Sequence, residues 1–201
     1  SNLLTSLLGA HSQILAGSPL HLIRTTLFSA LSYGDLREEG NWKELVSHVE
    51  ELYRNRLGGD HPDLDIGSLA ADLPERSLSA LIQRIVQEER VLAGKPIHFI
   101  KENQTHKLLP FLLGAFPEAR YVYLVRDPRD VVASHVATAL RSDCVLEATR
   151  IWKNDQVDTL IACSGLMDGR VEGNERVQVV RYEDLIGSPE EALQRCCSFL
   201  G

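Results

Sequence analysis

Arg126 and Ser134 are the residues whose types and spacing point most directly to chemistry. Arg126 ends the apolar run Tyr121-Val122-Tyr123-Leu124-Val125, and Asp127-Pro128 after it reads as a helix start. An arginine at the carboxyl end of a strand, beside a helix N-terminus, offers a planar fork of donors, free N–H groups and partial positive charge. Ser134 falls about two turns into the predicted helix, where its hydroxyl can face the same crevice. Together the two would hold a dianionic phosphate. The same residues also allow a plainer arrangement, in which Arg126 pairs with Asp127 or Asp130 and Ser134 fills a packing gap.

The elements that must position this pair are legible as two halves of different character. From Ser1 to about Gly94 the pattern is helical and rich in loops. Leu3, Leu4, Leu7 and Leu8 recur at helical spacing, as do Leu45, Val49, Leu52 and Tyr53 within Trp42 to Arg56. A Gly-, Asp- and Pro-rich loop spans Gly58 to Asp65. A further amphipathic stripe runs from Leu78 through Leu81, Ile82, Ile85, Val86 and Leu92 to a stop at Gly94. From Lys95 onward short apolar runs alternate with helices. The predicted strands are Ile97 to Ile100, Tyr121 to Val125 and Val177 to Tyr182. The predicted helices are His106 to Leu113, Pro128 to Leu140, Val145 to about Ile161 and Pro189 to Leu200. The Tyr121 run is continuously apolar, as in a parallel strand covered on both faces. Such alternation predicts an α/β fold: three layers, doubly wound around a mainly parallel sheet. Ligands of such sheets lie beyond the carboxyl ends of the strands. Ser188-Pro189-Glu190-Glu191 reads as an N-cap with a capping box, and Asp127-Pro128 as an N-cap acceptor before a helical proline.

Size and composition fit one domain. The chain has 201 residues, 44% hydrophobic and 24% charged, with a net charge of −7. That balance argues against a large nucleic-acid surface but allows a local basic pocket. No apolar run approaches the ~20 residues of a membrane-crossing helix. The four cysteines, Cys144, Cys163, Cys196 and Cys197, lack a C-x-x-C spacing. They read as small buried or half-buried thiols, and no metal is expected.

The stretch Phe116 to Ser134, FPEARYVYLVRDPRDVVAS, closely resembles the 3′-phosphate-binding motif of sulfotransferases that use 3′-phosphoadenosine 5′-phosphosulfate (PAPS). In that family an arginine at the strand end and a serine eight residues later hold the 3′-phosphate, the spacing of Arg126 and Ser134. The closing segment VVRYEDLIGSPEEALQRCCSFLG is similar to the family's last strand, R-Y-E-D-L loop and helix. The ATRIWKND region resembles the helix between them. The opening SNLLTSLLGAHSQIL resembles the segment just after the family's phosphosulfate loop. The resemblance implies a P-loop-like sulfotransferase fold and transfer of a sulfuryl group from PAPS, a co-substrate, to a hydroxyl or amine. Ser1 and Asn2 fall where the family has a Ser/Thr pair, and Tyr182 lines the cofactor crevice by the same resemblance. The loop's Arg or Lys, Ser and Gly, and the strand before them, are expected to precede Ser1. The chain is thus expected to be a partial sulfotransferase domain over residues 1–201, missing residues at the front and after Gly201. On that expectation it is inactive alone and active in its parent.

Sulfuryl transfer needs a base for the acceptor's proton and positive groups for the spreading charge. Lys101-Glu102-Asn103 resembles the family's K-T-x-H or K-x-P stretch, with Asn103 where many members carry a histidine. Glu102 and His106 are the two candidates for the base, with Lys101 as electrophile. Each also suits a plainer role as a turn residue or a helix cap. His11, His21, His48, His61, His98 and His135 are lesser candidates. Competing readings are a kinase-like P-loop phosphotransferase and a non-catalytic nucleotide-binding module. Residues 17 to 94 would form the acceptor pocket, for a carbohydrate, protein, lipid or small molecule. Localisation and oligomeric state are open, with the cytoplasm ahead of a Golgi-lumenal or membrane-anchored parent.

Overall fold

The computed structural model describes residues 2–17, 21–55, 62–138, 142–167 and 176–201. They form two compact bodies, one of residues 1–103 and 110–117, the other of residues 104–109 and 118–201. The α/β class is as expected, and the described strands form two separate parallel pairs.

The first body holds α1 (Asn2–Gly9), β1 (Ile14–Leu15), α2 (Leu22–Phe28), α3 (Glu39–Arg54), α4 (Ile66–Ala71), α5 (Leu78–Ala93) and β2 (Ile97–His98). The helical stripes become its core. Leu45 and Val49 of α3 and Leu81, Ile82 and Ile85 of α5 are all fully buried. Each such side chain contributes about 1.5–3 kcal/mol through the water it leaves. The helix α5 starts at Ser77, whose hydroxyl accepts the Ala80 N–H, and stops at Gly94. Gly94 has φ 63°, the left-handed conformation that lets its N–H turn back onto the Arg90 and Val91 carbonyls. Leu92 lies outside the stripe expected to bury it and is exposed.

The strand β1 was not expected. It is two residues long and pairs in parallel with β2, Ile14 against Ile97 and Leu15 against His98. Lys95 holds it in place, its Nζ donating to the carbonyls of Ile14 (2.8 Å) and His11 (3.1 Å). The strand expected over Ile97 to Ile100 is correspondingly short, because its partner offers only two residues.

A helix α6 (Thr105–Ala115) follows β2, starting one residue before the expected His106. Its first residues belong to the second body and those from Pro110 to the first. The second body also holds β3 (Tyr121–Val125), α7 (Pro128–Thr138), α8 (Val145–Met167), β4 (Val177–Arg181), α9 (Tyr182–Gly187) and α10 (Pro189–Leu200). The pair β3 and β4 runs parallel from Tyr121 against Val177 to Val125 against Arg181. All five residues of β3 are half-buried, where sealing on both faces was expected. The core lies around Val177, Val180, Ala148, Leu185, Ala192 and Cys196.

Two local expectations are corrected here. After Arg181, the last residue of β4, Tyr182 to Leu185 open the helix α9 rather than a loop, with Glu183 and Asp184 placing negative charge in its first turn. Ser188 precedes α10 without a side-chain capping bond, so the expected capping box is absent. Pro189 at the first helical position still starts that helix. The expected end of α7 at Leu140 and the expected loop over Gly58 to His61 lie outside the described residues.

Candidate functional site

The register of β3 against β4 builds the site in the second body. Because Val125 faces Arg181, the next residue on each strand, Arg126 and Tyr182, leave the pair side by side. The Arg126 guanidinium accordingly lies over the Tyr182 ring, 4.7 Å from its centroid, an arrangement the ring's negative face favours. One step further, the Asp127 N–H donates to Glu183 Oε1 at 2.8 Å, tying the two strand ends together. That bond lowers the pKa of the Glu183 carboxyl. The sequence placed Glu183 only within the R-Y-E-D-L segment and gave no sign of this bond.

Asp127 is the N-cap that the sequence predicted. Its Oδ1 accepts the Arg129 N–H at 2.8 Å, and the Arg129 guanidinium grips the same carboxylate. These bonds hold the Asp127 pKa down at about 2. They also direct Arg129, 88% exposed, away from Arg126.

Arg126 pairs with Asp130, Nη2 to Oδ2 at 3.3 Å. This is the plainer arrangement that the sequence left open, but it uses only part of the guanidinium. The Arg126 Nε–H is buried and has no hydrogen-bond partner among the described residues. An orphaned charged donor is costly, and an anion at that spot would satisfy it. Asp130 and Ser134 lie four residues apart on α7 and so share one side of that helix. Ser134 is exposed, and its carbonyl accepts the Thr138 hydroxyl. His106 is in this body too, its Nδ1 3.2 Å from the Thr159 hydroxyl of α8.

The other predicted residues meet in the first body. Lys101 Nζ donates to the Asn2 side-chain carbonyl, joining the start of α1 to the segment after β2. Burial lowers the Lys101 pKa. Ser1 lies outside the described residues. Glu102 is deeply placed, its side chain only 5% exposed. Its Oε1 accepts the Ile23 N–H at 3.1 Å, at the start of α2, and its Oε2 lies 3.2 Å from His21 Nδ1. Burial raises the Glu102 pKa, against the opposing pull of His21 and the backbone N–H groups. Lys101 and Glu102 line a small, partly open crevice of about 30 Å³. Its apolar wall is Leu22, Ile82, Ile85, Val86, Phe99 and Ile100. Tyr53 also lines it, as do Glu89 and His98, a buried pair at 3.6 Å.

Among the described residues no group of three or more His, Cys, Asp or Glu could hold a metal ion, and no helix is long and apolar enough to cross a membrane. The carboxylate, imidazole and ammonium groups around the crevice suit proton transfer, and the guanidinium beyond β3 suits an anion.

The whole chain has the fold of a solved structure, the sulfotransferase domain from the curacin biosynthetic pathway, with a TM-score of 0.61 at 18% identity. That likeness covers 100% of this chain and 69% of the other. The omega-hydroxy-beta-dihydromenaquinone-9 sulfotransferases Stf3 of Mycobacterium bovis and Mycobacterium tuberculosis are each 35% identical over 128 residues. The aligned part is 59% of this chain and about a third (32%) of the length of those relatives. The sulfotransferase family matches residues 1–201, and the chain belongs to that family.

Proposed function

We propose that the protein transfers a sulfuryl group from PAPS to the hydroxyl of an acceptor with an apolar body. The observation that carries the reading is the buried, partnerless Nε–H of Arg126 at the end of β3. Arg126 and Ser134 would hold the 3′-phosphate, with Tyr182 beneath the guanidinium keeping it in place. In the first body, the joined Lys101 and Asn2 side chains suit an anionic group. PAPS supplies the activated sulfuryl group. Lys101, its ammonium partly desolvated, stabilises negative charge that grows in transfer. The Glu102–His21 pair provides for the acceptor's proton. Two observations favour an apolar acceptor: the hydrocarbon wall of the crevice, and the omega-hydroxy-beta-dihydromenaquinone-9 named for the Stf3 relatives.

The test is transfer from radiolabelled PAPS by the intact protein, with dodecanol and dodecylamine as acceptors. The expected product is labelled dodecyl sulfate. Labelled product with the amine alone would overturn the hydroxyl assignment. No labelled product with either would count against the apolar acceptor, and no binding of PAPS would refute the whole reading.

A further inference from the structure

We infer that His21 is the base that takes the acceptor's proton, and that Glu102 acts through it as a positioning residue. This rests on the proposed sulfuryl transfer. The reach of Glu102 is limited by its own bonds. Oε1 is engaged by the Ile23 N–H and Oε2 by His21 Nδ1, and the side chain is 5% exposed. Both oxygens are therefore committed inside the body, and the route from the carboxylate to a substrate proton runs through the imidazole. His21 is 32% exposed and lines the crevice. With its Nδ1–H donated to the carboxylate, a neutral imidazole carries its lone pair on Nε2, the form a base requires.

The backbone supports the assignment independently. His21 has φ 52° and ψ 25°, a left-handed conformation that is uncommon for residues other than glycine. Gln104 is the other such non-glycine residue among those described, two residues after Glu102. Strained positions of this kind persist where the surroundings over-determine them. Nothing about capping α2 requires a histidine here, since its side chain makes no capping bond to that helix. Its side chain instead meets Glu102, 81 residues away.

In the transfer step the acceptor oxygen forms a bond to sulfur while the bond from sulfur to the 5′-phosphate oxygen breaks. The hydroxyl proton passes to His21 Nε2, and the leaving phosphate takes the electron pair. The other titratable groups on the crevice are Tyr53, Glu89, His98 and Lys101. Glu89 and His98 are 2% and 5% exposed and face each other, so they do not compete for the acceptor.

The experiment uses the intact protein, with His21→Asn and Glu102→Gln beside wild type. Asparagine tolerates the left-handed backbone, so His21→Asn keeps the fold. Three readouts are taken: kcat and KM with PAPS and dodecanol from acid to neutral pH, affinity for 3′-phosphoadenosine 5′-phosphate (PAP), and nitrogen NMR of the histidine tautomers. For His21→Asn the expected result is a kcat lower by about 10²–10⁴-fold, with KM and PAP affinity near wild type. The pH dependence of kcat in that variant should differ from that of wild type. His21 should carry its proton on Nδ1 in wild type and lose that preference in Glu102→Gln. Wild-type turnover with His21→Asn within threefold in kcat would overturn the assignment and leave sulfuryl transfer standing. An unchanged tautomer in Glu102→Gln would overturn the positioning role. Failure of wild type to bind PAP or consume PAPS would remove the underlying reading, and this one with it.

Discussion

Asp130→Asn should tighten the binding of PAP. Asp130 occupies one edge of the Arg126 guanidinium at 3.3 Å, with the two side chains 57% and 38% exposed. An anion arriving at Arg126 must displace or tolerate that carboxylate. An exposed pair at this spacing is worth about 0.3–0.5 kcal/mol, which the incoming phosphate would no longer have to overcome. The carboxylate also repels the phosphate. Two negative charges about 8 Å from it feel roughly 1 kcal/mol in water, falling by more than half at physiological salt. The sum is about 1.3–1.5 kcal/mol at low salt, so affinity should rise about tenfold there. Screening should shrink the gain to under about twofold at 1 M salt. Calorimetric titration of PAP into the intact wild type and the variant, at low and high salt, reads both numbers. Weaker binding by Asp130→Asn would refute the reasoning. Asp130 would then be orienting the guanidinium for its ligand rather than competing with it.

The same contacts set three further outcomes. Tyr182→Phe keeps the ring beneath Arg126 and should leave PAP affinity within about twofold, while Tyr182→Leu should weaken it by the ~0.5–1 kcal/mol of an exposed cation–π contact. Equal effects from the two would show that the hydroxyl, not the ring, matters. Leu81→Ala removes a fully buried side chain from α5 and should cost about 2–5 kcal/mol in denaturant unfolding. A loss below about 1 kcal/mol would mean that α5 is not at the centre of the first body. The Asp127 carboxyl ionises more readily folded than unfolded, at about 2 against an ordinary 3.8. Its contribution is therefore complete above pH 3.8 and is lost as pH falls toward 2. The stability gap between wild type and Asp127→Asn should close across that window, and a gap of constant size would contradict the assigned cap.

Much of the second body was legible because its signals are local. Five consecutive apolar residues followed by Arg-Asp-Pro mark a strand, its end and a helix start, and each falls where expected. The Arg126 pairing could be narrowed only to Asp127 or Asp130. Choosing between them needs the cap geometry, in which Arg129 has already claimed Asp127. Tyr182 came from resemblance alone, and its place beside Arg126 follows from the parallel register of β3 and β4, which no local signal shows. The first body was harder. A two-residue strand such as Ile14–Leu15 carries no period that could distinguish it from a loop. The link between His21 and Glu102 spans 81 positions, and no spacing rule connects residues so far apart. The one local hint was a histidine just after Pro19 and Leu20, in a region that resembled nothing familiar. Ser188 shows the opposite failure. Its sequence fits a capping box, yet its side chain makes no capping bond to the helix.

The central claim is that Arg126, at the tip of β3, binds the 3′-phosphate of a PAPS-type nucleotide. The most direct measurement is the affinity of the intact protein for PAP with Arg126 present and with Arg126→Ala. Losing charge-assisted bonds worth about 1.5–3 kcal/mol should weaken binding by about 10- to 150-fold. An alanine variant that binds PAP as tightly as wild type would contradict the account.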